Sequence, residues 1–140
     1  MKWFIHGALA VVLLGSLVGC QGNIMSESEK LFVRMVDKTA GKLDLNESQK
    51  VQLKQLKIEI QKNFLEGQKE KEEAAAKIKD EGMKENPDSQ KMSSLLQGLL
   101  RDEMGRINRA FDLTLKYQNH LNDDQKRKFT QIISKWVTED

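Results

Sequence analysis

From residue 26 to the end of the chain, apolar residues recur at the three- and four-residue spacing of amphipathic α-helices. A first short helix is predicted over 26–40, where Ser26 and Glu29 have the spacing of a capping box and Gly41 follows as a stop signal. A second helix is predicted from about residue 45 to 81. After a turn at 82–86, a third opens at Asn86 and Pro87, and a fourth starts near residue 121. The pattern therefore predicts an all-α fold.

The second predicted helix has more apolar surface than one neighbouring helix can cover. Counted at about 100° per residue, its apolar side chains fall on two nearly opposite faces. One face holds Leu53, Leu56, Ile60 and Phe64. The other face holds Val51, Ile58 and Leu65. Because another helix of the same chain covers one face, the second face is expected to meet a sister subunit or a ligand.

The N-terminal residues form a segment of a different kind. The stretch 5–18 is apolar or small with two polar exceptions, and it is shorter than the roughly 20 apolar residues that span a bilayer. It ends in Leu-Val-Gly-Cys, the pattern of a bacterial lipobox. We therefore predict that residues 1–19 are a signal peptide, cleaved between Gly19 and Cys20, and that the thiol of Cys20 receives the lipid.

The residues around the cysteine suggest where the anchored protein resides. Cys20 is the only cysteine, so an internal disulfide is excluded. Gln21 follows it, where Asp commonly signals retention in the inner membrane. The expected location is therefore the outer membrane, facing the periplasm, with acyl chains that insert into the bilayer. Residues 20–28 are then a lipidated tether and 29–140 a single helical domain.

Charge and candidate chemistry exclude several classes of function. The 23 basic and 21 acidic residues are interspersed, for a formal net charge of +2, and no basic block suits a nucleic-acid partner. The sequence has no phosphate-binding loop, dinucleotide fingerprint or H-E-x-x-H motif, and nothing aligns a nucleophile with a base. Apart from the signal segment, His120 is the only histidine. We therefore expect no enzyme activity, no cofactor and no metal site.

One motif, L-N-x-x-Q-K, occurs twice, each time at a predicted helix start. Its defining residues are Leu45, Asn46 and Gln49 in the first copy, and Leu121, Asn122 and Gln125 in the second. From the residues alone, each copy has the composition of a helix-capping box. The pair resembles the L-T-x-x-Q motifs of the Spy/CpxP family of periplasmic stress proteins, with Asn in place of Thr. The stretch 117–129 is also similar to that family's C-terminal signature, and the resemblance covers about residues 43–137.

The resemblance implies a long antiparallel helical hairpin with short flanking helices, which dimerises into a thin, curved cradle. In this family the concave side of the cradle binds unfolding proteins without nucleotide. For this chain it implies an ATP-independent periplasmic chaperone or envelope-stress protein in a lipid-anchored form, whereas the best-known members are soluble. The residues that we expect at its client or dimer surface are Val51, Leu53, Ile58, Leu65, Leu99 and Arg109.

Two other functions stay open from the sequence. One is a regulator that docks on an envelope sensor protein, as implied by the same resemblance. The other is a structural helical spacer, which requires a long uninterrupted heptad seam. Such a seam would be interrupted by Gly82, Pro87, Gly98 and Gly105. Gly98 and Gly105 are also expected to permit close helix approach.

Overall fold

The computed structural model describes residues 26–138, and the backbone there is mostly helical. Its elements are α1 (Glu27–Lys42), α2 (Glu47–Gly82), α3 (Ser89–Tyr117), a 3-10 turn (Gln118–His120) and α4 (Asp123–Thr138). No strand occurs within this part of the chain, so the predicted all-α class and its four helices are confirmed. The predicted signal peptide, Cys20 and the first residues of the tether lie outside the described residues.

The helix ends follow their capping residues with two small corrections. The Ser26 hydroxyl accepts a hydrogen bond from the Glu29 amide at 3.1 Å, as the sequence predicts. The third helix starts later than expected, because Asp88 and not the Asn86–Pro87 pair caps it, accepting the amides of the second and third helical residues at 2.9 and 3.0 Å. Gly41 does not stop α1, which continues through it to Lys42; no glycine of the described residues has a positive φ.

Helices α2 and α3 contact each other along much of their length. Near the start of α2, the Gln49 carbonyl accepts a hydrogen bond from the Tyr117 hydroxyl at the end of α3, at 3.1 Å. Midway, the Asn63 side chain donates to the Arg106 carbonyl at 3.0 Å. Near the end of α2, Glu81 accepts the amide of Asp88 just before α3, at 3.1 Å. This reversed order of partners is the one that two helices running in opposite directions produce.

The core lies where α1 and α4 meet this helix pair, and Phe32 of α1 is at its centre. Its ring centroid is 4.9 Å from that of Phe111 in α3, 5.9 Å from Phe64 in α2 and 5.6 Å from Trp136 in α4. One buried aromatic side chain thus contacts all three other helices. The contacts with Phe111 and Trp136 are edge-to-face, a geometry that adds stabilisation beyond the area that it buries.

A polar clamp joins the middle of α2 to the middle of α3. The guanidinium of Arg106 donates to the Asn63 carbonyl at 2.9 Å and forms an ion pair with Glu70. The Arg106 side chain crosses α2 at Gly67, where a Cβ atom would lie 2.1 Å from Nε and 2.2 Å from Cδ. A Cβ atom at this position would therefore displace the end of the Arg106 side chain and its hydrogen bonds. At Gly98 and Gly105, where the sequence suggests close helix approach, a Cβ atom would meet nothing within 4 Å, so neither is a position of close approach.

Gly67→Ala is expected to destabilise the protein by about 1 kcal/mol, because displacing a charged hydrogen bond costs more than the roughly 1 kcal/mol that Ala gains over Gly in a helix. In an Arg106→Ala background the same substitution is expected to stabilise, since the obstructing side chain is gone. Urea unfolding of the four proteins measures both effects. Gly105→Ala is the matched control and should stabilise in either background. Equal effects of Gly67→Ala in the two backgrounds would contradict the clamp.

The turn between α2 and α3 is organised by Glu81. This carboxylate is nearly inaccessible to solvent, and it accepts hydrogen bonds from Lys84 at 2.7 Å and from the Asp88 amide at 3.1 Å. Lys91 lies 3.0 Å from it. These bonds, the one from Lys84 first, lower the pKa of Glu81 to about 2. The ionised carboxylate therefore holds both sides of the turn together.

Because its pKa is lowered from the ordinary 4.5 to about 2, Glu81 contributes stability that is fully present above pH 4.5 and is lost as the pH falls towards 2. Glu81→Gln should lower stability at pH 7 and flatten the loss of stability between pH 4.5 and 2. Urea midpoints across this range test the prediction. Glu85→Gln, which removes an exposed carboxylate from the same turn, should keep the parent's slope. A Glu81→Gln protein with that same slope would refute the assignment.

Candidate interaction surface

Both copies of the L-N-x-x-Q-K motif form complete capping boxes. In the first, the Asn46 side chain accepts the Gln49 amide at 2.8 Å and the Gln49 side chain accepts the Asn46 amide at 3.0 Å. In the second, Asn122 and Gln125 make the same two bonds at 2.9 and 3.0 Å. Each Asn thus acts as the N-cap of its helix, because its side-chain oxygen accepts from the third helical residue.

The two motifs also bind each other, although 76 residues separate the two glutamines. The Gln49 side-chain amide donates to the side-chain oxygen of Gln125 at 2.8 Å, and Gln125 donates back at 3.1 Å. The second N–H of Gln49 donates to the His120 carbonyl at 2.7 Å, and that of Gln125 donates to the Asp44 carbonyl at 2.5 Å. Each carbonyl precedes the leucine of the opposite motif, so the arrangement is symmetric.

This glutamine pair is buried and fully hydrogen-bonded. Each side chain uses both its N–H groups and accepts two hydrogen bonds, which satisfies the amide. No buried side-chain polar atom in residues 26–138 lacks a hydrogen-bond partner. Leu45 and Leu121, the first residues of the two motifs, are buried beside it. The motif residues therefore join the starts of α2 and α4, and the two glutamine side chains have no unused hydrogen-bonding group for a ligand.

This pairing is not evident from the sequence, because each motif taken alone is explained by capping. Two signals were present. Gln rather than Glu stands at the third helical position in both copies, and only an amide can accept from its own helix start and donate elsewhere at once. In addition, a motif repeated at two helix starts in one small domain is suited to a symmetric contact.

The apolar stripe on α2, defined as Val51, Ile58 and Leu65, is exposed. These side chains keep 65%, 49% and 50% of their surface accessible. They follow one another every seven residues, so they lie in a line about 20 Å long on α2. The buried residues of α2 occupy the opposite side, against α1 and α3. The stripe is therefore turned away from the rest of the described chain.

Three other residues expected at this surface lie in different places. Leu53 is only 4% exposed and belongs to the hydrophobic core, so its assignment to an exposed surface is wrong. The reason is helical phase: Leu53 shares the face of α2 that packs inward, two residues after Val51. Leu99 is half-buried on α3, and Arg109 is exposed on the same helix.

Lysines lie beside the α2 stripe. Lys54, Lys62 and Lys69 are exposed, and each stands three or four residues after a member of the stripe, which places it on the adjoining surface. Exposed glutamates lie there too, since Glu47 stands four residues before Val51 and Glu72 seven residues after Leu65. The outer side of α2 is therefore apolar with charges of both signs beside it, and such a surface can pair with charged residues of a partner and hold an apolar segment through burial.

A second exposed apolar line, the α3 stripe, consists of Leu96, Leu100 and Met104. Its members are four residues apart and so lie along one side of α3. Leu115 is exposed further along the same helix. Exposed apolar side chains are normal singly, but two ordered lines on the two longest helices indicate contact surfaces.

Side chains that bind metal ions are not clustered among the described residues. Among them no group of three or more His, Cys, Asp or Glu side chains is placed to hold a metal ion. His120 is exposed, and it contributes its backbone carbonyl to the glutamine pair. Within residues 26–138 no helix combines the length and the apolar character needed to cross a membrane. The features that stand out in this part of the chain are the buried glutamine pair, which joins two helices, and the two exposed apolar stripes.

Comparison with known proteins adds no further assignment: no family model, curated protein or solved structure matches the chain.

Gln49→Ala and Gln125→Ala are each expected to lower the free energy of unfolding by about 2 kcal/mol, because each leaves buried amide and carbonyl groups unpaired. The double substitution should cost about 1 kcal/mol less than the sum, since the two side chains share hydrogen bonds. Urea unfolding of the four proteins gives this coupling energy. Gln52→Ala, at an exposed position of α2, serves as the control. Strictly additive costs would show that the glutamines do not act as a pair.

Proposed function

We propose that this chain is a lipid-anchored, ATP-independent periplasmic chaperone, or envelope-stress protein, that binds unfolded segments of other proteins. In this proposal it resembles the Spy/CpxP family, α2 and α3 are the family's antiparallel hairpin, and Cys20 carries the lipid. The observation that carries the proposal is the exposure of Val51, Ile58 and Leu65 on the side of α2 that is turned away from the core.

The completeness of the core supports this interpretation. Leu53, Leu56, Ile60 and Phe64 of α2 are buried by the chain's own helices, so the opposite face of α2 is not needed for folding of the monomer. Keeping large apolar residues there favours aggregation unless they have a partner. Unfolded polypeptides expose apolar side chains of many shapes, and a long, open stripe accepts them without demanding one sequence.

The mixture of charge and apolar surface also suits reversible capture. Exposed lysines such as Lys62 and exposed glutamates such as Glu72 lie beside the stripe, so charged residues of either sign on a client segment find an opposite charge there. The stripe then contributes short-range burial that is too small to hold a client tightly. A client released in this way needs no nucleotide, in keeping with the absence of a phosphate-binding loop from the sequence.

Dimerisation forms part of the proposal. Two copies that place their α2–α3 pairs together would form the cradle that the family resemblance implies. The stripe on α2 would line that cradle or contribute to its dimer contact. The mass of the soluble domain, with and without an unfolding client, distinguishes the two arrangements.

The test is a light-scattering assay on the chain from residue 21 onward, which lacks Cys20. At a several-fold molar excess and without nucleotide, it is expected to suppress aggregation of an unfolding client. Replacing Val51, Ile58 and Leu65 together by Gln should raise the amount needed for equal suppression roughly tenfold, a loss of about 1.4 kcal/mol of binding.

The matched control is the triple substitution Val51→Leu, Ile58→Leu and Leu65→Ile, which keeps the apolar surface and should keep the activity. No suppression by the parent protein would reject the chaperone function. If the parent protein did not suppress aggregation but captured one envelope sensor domain in a pull-down, the regulator function would replace the chaperone function. Equal activity of the parent and the Gln variant would show that clients do not bind at the α2 stripe.

A further inference from the structure

The α3 stripe lies outside the surface that the proposed chaperone function assigns to clients. Leu96, Leu100 and Met104 lie along one side of α3, whereas Leu95 and Leu99 on the adjoining side are half-buried. The α2 stripe points away from α3, because the residues of α2 that face α3 lie on its opposite side. The two exposed stripes are thus separate surfaces, and one client site does not account for both.

The start of α1 lies beside the α3 stripe. The Ser28 hydroxyl donates to the Glu103 carboxylate at 3.0 Å, and Glu103 directly precedes Met104. One turn further along α1, the Phe32 ring is 4.9 Å from that of Phe111. Helix α1 therefore begins beside Glu103 of α3 and runs towards Phe111. The first residues of α1 lie at the end of the contact between α1 and α3 that is nearer to Leu100.

The distance from this point to the lipidation site is short. Cys20 precedes Ser26 by six residues, which span at most about 20 Å when fully extended. If Cys20 carries the lipid, the α3 stripe is therefore held within a few turns of helix from the bilayer surface. At such a range a second contact with the membrane is intramolecular, and a weak apolar contact is enough to populate it.

The neighbours of the α3 stripe also suit a lipid surface. Ser93 and Gln97 are exposed beside Leu96 and Leu100, and both are uncharged, so their approach to a bilayer carries no ionic desolvation penalty. Exposed Arg101 follows directly after Leu100, and its long side chain can reach lipid phosphates while the leucine enters the interface.

We infer that the α3 stripe docks on the phospholipid bilayer in which Cys20 is anchored. This inference rests on the lipid anchor of the proposed function. The protein then has two attachments, the acyl chains and an apolar side of α3, and the α2 stripe is turned towards the periplasm. The bilayer acts as the partner that covers Leu96, Leu100 and Met104, and clients meet the opposite side of the molecule.

The test uses the full lipidated chain in vesicles of phosphatidylethanolamine and phosphatidylglycerol. An environment-sensitive fluorophore is attached either to Gln97→Cys beside the α3 stripe or to Gln55→Cys beside the α2 stripe. These positions match, since each glutamine is exposed and bonds a side chain four residues away on its own helix. Acylated Cys20 does not react with the dye. Lipids with a shallow spin label then report contact with the bilayer.

The probe at position 97 is expected to be quenched at least threefold more strongly than the probe at 55. Replacing Leu96, Leu100 and Met104 together by Gln should abolish the difference while the protein still floats with the vesicles. Equal quenching of the two probes in floating protein would overturn the docking inference and leave the lipid anchor standing. Protein that fails to float would overturn both. Dimer-dependent shielding of position 97 without quenching would assign the stripe to a second copy and also overturn the inference.

Discussion

The arrangement of the helices depends on the hydrogen-bonded pair of Gln49 and Gln125. A buried amide pair is directional, since each oxygen and each N–H group must meet its partner at the right angle and distance. Here the two oxygens and the four N–H groups are satisfied by the opposite glutamine, by the backbone amides of Asn46 and Asn122 and by the carbonyls of Asp44 and His120. The starts of α2 and α4 therefore fit together in one register. A displacement by one residue would leave several buried polar groups unpaired.

This fixed register allows the rest of the chain to complete its core. With α4 held at the start of α2, Phe129 lies 6.1 Å from Tyr117, and Trp136 reaches the aromatic cluster around Phe32. Helix α1 fills the remaining space, and its Asp37 forms an ion pair with Lys57 of α2 at 2.7 Å. Because the inward face of α2 is covered by the chain's own helices, its outward face stays exposed. The exposed stripe thus follows from how the core is closed.

Much of this fold could be predicted from the sequence because helix formation depends on local patterns. Apolar spacing and the capping residues place the four helices within a few residues of their observed ends. The errors occur where a contact between distant residues decides the outcome. Gly67 is the glycine with a close neighbour because the side chain of Arg106, 39 positions further along the chain, crosses it, and no local pattern reports such a crossing. Leu53 is an exception to this rule: it was expected at the client or dimer surface, although its helical phase places it with the core residues of α2.

The functional surface could be predicted only in part, for the same reason. Periodicity shows that α2 has two apolar faces, but it does not show which one the chain covers. The sequence also does not show that the two glutamines form one hydrogen-bonded pair, because each motif is complete as a helix cap. Residues that act locally were therefore predictable, and residues whose role depends on a partner 76 positions away were not.

The central claim is that the two glutamine side chains are hydrogen-bonded to each other, and nuclear magnetic resonance of uniformly labelled protein tests it most directly. The side-chain amide protons of Gln49 and Gln125 are expected to show a mutual Overhauser contact and to exchange with solvent far more slowly than those of exposed Gln52. Exchange as fast as that of Gln52, without the contact, would contradict the account.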